Sequence, residues 1–112
     1  RRLYGQLRAV AIEAPEDDED VPPSFSALAS AAAIVDSLPA WVGEPEIDAD
    51  GRGGVMLEWY RNPTSVAVVT TDGPTVTWAA LSGSTVARSS GSDFFVDTLP
   101  EEPLRILRRQ RA

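Results

Sequence analysis

From Pro45 to Leu81 the chain reads PEIDADGRGGVMLEWYRNPTSVAVVTTDGPTVTWAAL, a run of short alternating segments cut by turn signals. Val55, Leu57 and Trp59 project to one side of an extended backbone, and Met56, Glu58 and Tyr60 project to the other. A period of two recurs in Val66/Val68 and in Val76/Trp78/Ala80, which predicts a sheet with one buried face. Asp50-Gly51, Asn62-Pro63 and Asp72-Gly73 are turn dipeptides: glycine admits a positive φ, proline presets its own, and Asn and Asp bond nearby backbone. A chain with this pattern folds as an antiparallel meander, and everything else must pack against it.

Helical patterns flank the meander. Residues 1–14 place Leu3, Leu7, Val10 and Ala14 at helical spacing, with Gly5 a weak point. Residues 24–38 form a stronger helix, with Ser24 as N-cap after Pro23 and Pro39 as the stop. Its predicted apolar stripe is Phe25, Leu28, Ala32, Val35 and Leu38, widened by Ala31 and Ile34. That stripe and the Val55/Leu57/Trp59 face are natural partners. After Leu81 the Ser- and Gly-rich segment 82–93 predicts a turn, one short strand around Thr85–Arg88, and a loop. Phe94-Phe95-Val96 is too apolar for a free loop and predicts a core anchor or a last edge strand. Thr98 with Glu101 resembles a capping box, opening a helix whose Leu104, Leu107 and Ile106 turn inward. Its arginines, Arg105, Arg108, Arg109 and Arg111, complement the C-terminal end of the dipole.

The expected architecture is therefore α+β. One or two N-terminal helices pack on one face of a four- or five-stranded antiparallel meander, and a short C-terminal helix follows. At 112 residues this is a single domain, with residues 1–23 a helical arm plus an acidic loop. No run approaches the length of a membrane helix, no secretory signal opens the chain, and cysteine is absent. These features predict a cytoplasmic protein without disulfides. The chain opens on Arg1-Arg2 without a methionine, which points to a few missing initial residues.

Pro45-x-Ile47, Asp50-Gly51 and Val55-x-Leu57-Glu58-Trp59, preceded by a PS…AL helix ending in Leu38-Pro39, resemble the pattern of a bacterial family of small proteins without an assigned activity. The resemblance covers residues 22–107. It implies an α+β fold and carries no catalytic or binding residue. Arg52-Gly53-Gly54 lengthens the connection after the Asp-Gly turn relative to that pattern, leaving the strand register open.

Charge is the sharpest compositional fact. Net charge is −7, and from Ala9 to Asp50 there are eleven acids with no Lys or Arg. The remaining residues hold six acids and all ten arginines. An acidic protein repels a phosphate backbone, which disfavours direct nucleic-acid binding. Histidine and cysteine are both absent, removing the commonest general base and the strongest nucleophile. A carboxylate pair drawn from Glu44, Glu46, Asp48 and Asp50 is the remaining catalytic option, and it needs a pocket that separates two pKa values. These acids flank a turn and face solvent. An EF-hand counted from Asp48 puts Arg52 at position 5 and Trp59 at position 12, so the calcium pattern fails. No phosphate-binding glycine loop is present, and no cofactor or metal is expected.

Binding is the reading that remains. Glu13, Glu16, Asp17, Asp18, Glu19 and Asp20, with Glu44, Glu46, Asp48 and Asp50, are expected to engage a basic surface on a protein partner, imitating nucleic acid. Trp41 either caps the helix–sheet seam or serves as a binding anchor. In size, acidity and lack of catalytic residues the chain resembles inhibitors from mobile elements, including anti-CRISPR proteins and antidotes to toxins. The alternative is a self-associating module, a homodimer formed through an edge strand or through an open sheet face carrying Met56, Tyr60, Val69 and Ala67.

Overall fold

A computed structural model describes residues 2–12, 20–62, 65–82, 87–94 and 99–111. Helix α1 (Arg2–Ile12) and helix α2 (Phe25–Ser37) precede five strands, β1 (Glu46–Ala49), β2 (Val55–Asn62), β3 (Ser65–Thr71), β4 (Thr75–Ser82) and β5 (Ala87–Phe94), and helix α3 (Glu101–Arg111) follows. The strands lie in sequence order in one sheet, each antiparallel to the next. This is the α+β meander that the alternation predicts.

Register decides the two faces. Leu57 pairs with Val69, Trp59 with Ala67, Val69 with Trp78, and Thr71 with both Val55 and Val76. Those residues are buried, so Ala67, Val69 and Thr71 form the inward row of β3. The expectation for β3 is corrected here. Val66 and Val68 face outward, and Ala67 and Val69 belong to the core, so they cannot join Met56 and Tyr60 in an open patch. SVAVV is apolar on both sides, and only pairing with β2 selects which side is buried. Each inward tryptophan lies beside a small residue: Trp59 opposite Ala67, and Trp78 opposite Gly91. A Cβ on Gly91 would sit 2.5 Å from Cζ2 of Trp78, so the indole needs glycine beneath it.

All three helices contribute to one core cluster with these strands. Ser24 caps α2, its hydroxyl accepting the Ala27 N–H at 3.0 Å. The buried side of α2 is Ala27, Ser30, Ala31, Ile34 and Val35, rotated from the expected stripe. Phe25 is 87% exposed, and Leu28 and Ala32 are only half-buried. One hydrogen bond and one close approach accompany this rotation. The Ser30 hydroxyl donates to the Gly73 carbonyl at 2.6 Å, and Gly73, at φ +119°, lies so close to Ser26 that a Cβ there would collide with it. The small residues of α2 thus press against the β3–β4 turn. In α3, Leu107 is buried and Leu104 and Ile106 are half-buried, on the side the spacing predicts, and Pro103 is buried with them.

Strand β5 is the second correction. The Ser-Gly segment 89–93 is not a loop; it pairs residue by residue with β4, from Thr75–Phe94 to Ser82–Ala87. Its residues are poor strand formers, and the β4 backbone with the Trp78–Gly91 fit supplies what propensity does not. Ala14, Thr85, Phe95, Val96 and Thr98 lie outside the described residues, as does most of the acidic loop.

Replacing Ser30 with Ala leaves the Gly73 carbonyl unpaired in the core and is expected to cost about 1–3 kcal/mol, measured as a lower urea midpoint at unchanged slope. Gly91→Val should be at least as costly, roughly 1–3 kcal/mol from overpacking against Trp78, read in the same assay.

Candidate acidic binding surface

Strand β1 places the acids. Ile47 is buried while Glu46 and Asp48 alternate outward and are exposed. Its free edge is held by one side chain of α1: the Ile47 N–H donates to Gln6 Oε1 at 2.9 Å, and Gln6 Nε2 donates to the Pro45 carbonyl at 3.3 Å. The amide supplies the donor and acceptor that another strand would supply, so β1 is fixed and its edge is closed to further pairing.

Register sets β1 against the outward row of β2. Glu46 lies directly opposite Glu58, and Asp48 opposite Met56. Glu46, Asp48, Met56, Glu58 and Tyr60 line a shallow depression of about 350 Å³. Glu58 completes the cluster, and sequence reading misses it as a site residue because it is a single acid within an apolar strand. Only the facing strand shows that two glutamates meet. Like charges directly opposite on a sheet repel.

The turn at residues 50–54 gathers a second group. Asp50 Oδ1 accepts the N–H groups of Arg52 at 2.7 Å and Gly54 at 2.8 Å, so this carboxylate organises the turn. The lengthened connection is thereby closed, and the register of β1 on β2 is settled as Ala49 opposite Val55. Val21 bridges Arg52 in parallel, its N–H donating to the Gly51 carbonyl at 2.9 Å while Gly53 N–H donates to the Val21 carbonyl at 3.2 Å. Asp20 is exposed, with its carboxylate beside Gly51. The end of the first acidic segment is therefore attached to the second. Glu13, Glu16, Asp17, Asp18 and Glu19 lie outside the described residues.

Trp41 and Glu44 stand at the opposite end of β1. Trp59 Nε1 donates to the Gly43 carbonyl at 2.7 Å and holds this loop over the seam. Trp41 is half-buried against the core, with the Arg108 guanidinium carbon 5.3 Å from its ring centroid. Here the C-terminal helix lays an arginine on an aromatic ring, and Arg105 pairs with Glu101 of its own helix at 3.3 Å. Exposed Glu44 borders a second depression, about 360 Å³, shared by Trp41, Trp59, Tyr60 and Arg61.

Among the described residues, Asp20, Glu46, Asp48, Asp50 and Glu58 make no ion pair with any other. Also among the described residues, no group of three or more carboxylates is arranged to hold a metal ion, and no helix is long and apolar enough to cross a membrane. The cluster can attract a guanidinium or ammonium group and accept its hydrogen bonds. No protein-family model, curated protein or solved structure matches the chain, so a functional reading must come from the site itself.

Glu58→Gln should stabilise the fold by about 0.2–1 kcal/mol by removing the repulsion with Glu46. The rise in melting temperature is expected to shrink as salt is added.

Proposed function

We propose that this protein is a non-enzymatic regulator that binds another protein through its carboxylates. It would occupy a basic surface on that partner which otherwise holds nucleic acid. The supporting observation is placement: Asp20 from one acidic segment and Glu46 and Asp48 from the other stand exposed along β1 and its turn, without an ion pair to a described residue. Uncompensated charge on a fixed strand steers a basic partner from a distance and costs little reordering on contact. The analogy to anti-CRISPR proteins and antidotes to toxins rests on the same properties, and a bacterial or phage setting goes with it.

A second reading, self-association, draws on the unequal edges of the sheet. Gln6 closes β1, whereas β5 has β4 as its one paired neighbour among the described strands. A second copy could extend the sheet there.

The test is affinity capture from a bacterial lysate with two baits, the wild-type chain and the Asp20→Asn, Glu46→Gln, Asp48→Asn variant. The retained protein is then titrated as salt is raised and as a duplex oligonucleotide is added. The expected result is a basic nucleic-acid-binding partner, bound about tenfold or more weaker by the variant, with affinity falling as salt rises and with oligonucleotide competing. Affinity indifferent to salt, substitution and oligonucleotide would overturn the proposal. Light scattering that shows a concentration-dependent dimer would favour the second reading.

A further inference from the structure

The outer face of the sheet is the extended surface that the core cluster leaves aside, and its composition is uneven. On β4 and β5 the outward positions include Thr75, Thr77, Ala79, Ser90 and Ser92, and by register also Leu81, Arg88 and Phe94. On β2 and β3 they are Met56, Glu58, Tyr60, Val66, Val68 and Thr70. Pairing sets Tyr60 opposite Val66 and Val68 opposite Ala79, so apolar side chains run contiguously across three strands. Among the described residues, none of Met56, Tyr60, Val66 and Val68 packs against the core cluster; Tyr60 is 61% exposed and the other three are half-buried. Glu46, Asp48 and Glu58 border this strip along its β1 side.

We propose that this face docks a basic amphipathic helix of a partner protein. The helix would set its apolar side on Tyr60, Val66 and Val68 and its arginine or lysine side chains over Glu46, Asp48 and Glu58. This rests on the acidic-binding reading and sharpens it, naming the carboxylates in contact and adding an apolar half that charge alone does not require. Charge complementarity selects the occupant. Glu46 and Glu58 repel each other across the ladder in the free protein, and a guanidinium set between them bonds both and removes that cost. A neutral or acidic helix would instead desolvate the two glutamates without a counter-charge.

Geometry selects a helix over an added strand. The outward row from Met56 to Tyr60 spans about 13 Å at roughly 3.3 Å per residue, the length of about nine helical residues. A sheet face accepts a helix as a second layer, whereas an added strand needs a free edge, and the edge beside the acids is filled by Gln6. The docked helix would complete a three-layer arrangement over the strip that the chain's own described helices do not reach.

The experiment uses the whole chain and three synthetic peptides of equal length. One is a Leu/Arg amphipathic helix, one a scrambled isomer with no apolar side, and one a Leu/Glu analogue. Binding is followed by fluorescence anisotropy and mapped by amide chemical shifts. The Leu/Arg peptide is expected to bind, the scramble about fivefold or more weakly, and the Leu/Glu analogue not at all. Shift changes should fall on residues 46–48, 56–60 and 66–68. Glu58→Gln and Tyr60→Ser should each weaken binding about five- to tenfold, while Asp20→Asn leaves it nearly unchanged. A melting temperature for Glu58→Gln at or above that of the wild type separates its loss of binding from unfolding.

A scramble that binds as tightly, or shifts confined to the 50–54 turn or α3, would overturn the docking face and leave the charge-only reading standing. If neither cationic peptide binds at low salt, both readings fall. Shifts on this same face that appear with protein concentration alone would identify a second copy as the occupant and overturn the helix.

Discussion

The pairing of β2 with β3, Leu57 against Val69, is the constraint on which the rest of the molecule depends. A slip of one residue would exchange every β3 side chain between the faces. In the register adopted, Ala67 makes room beside Trp59, Val69 meets Trp78, and Thr71 is buried with its hydroxyl accepting the Gly73 N–H at 3.2 Å. That buried row is what the helices cover. The same choice sends Val66 and Val68 outward beside Tyr60, so the composition of the open face follows from how the core was filled.

Two small polar devices hold the layers in place. Ser30 ties α2 to the β3–β4 turn through the Gly73 carbonyl, and Gln6 ties α1 to the outer edge of β1. Both side chains satisfy backbone groups that would otherwise be left without partners where helix meets sheet. The consequences reach the acidic surface directly. With β1 clamped, Glu46 and Asp48 are presented at fixed spacing from a strand, and their position against Glu58 and Met56 is not free to relax. The apolar strip of the outer face and the carboxylates beside it are thus two products of one arrangement, carried on strands rather than on a loop.

Electrostatics here is arranged by sidedness as well as by total charge. Two arginines of α3 are engaged locally, Arg108 on the Trp41 ring and Arg105 on Glu101. Asp50 is consumed in closing its own turn. What is left facing outward on the β1 side is a short row of carboxylates next to apolar side chains, a combination suited to recognising an opposite charge attached to an apolar stem.

Local patterns in the sequence were enough for much of this. Strict alternation in VMLEWY gave β2, the Asp-Gly dipeptides marked two of the connections, Ser24 and Pro39 bounded α2, and Leu104 and Leu107 identified the inward side of α3. These signals are legible because each depends on a few neighbouring residues. The exposed Phe25, the strand made of ARSSGSDF, the inward turn of Ala67 and Val69, and the meeting of Glu46 with Glu58 were not legible. Each depends on a partner distant along the chain: Gly73 for the roll of α2, Trp78 for β5, Leu57 and Trp59 for β3, and the β1–β2 register for the glutamates. The linear order of residues therefore determined that this chain is an acidic α+β meander without histidine or cysteine chemistry. Which carboxylates stand together, and which apolar side chains stand beside them, was decided by long-range pairing, because a strand has two faces and only its neighbours choose between them.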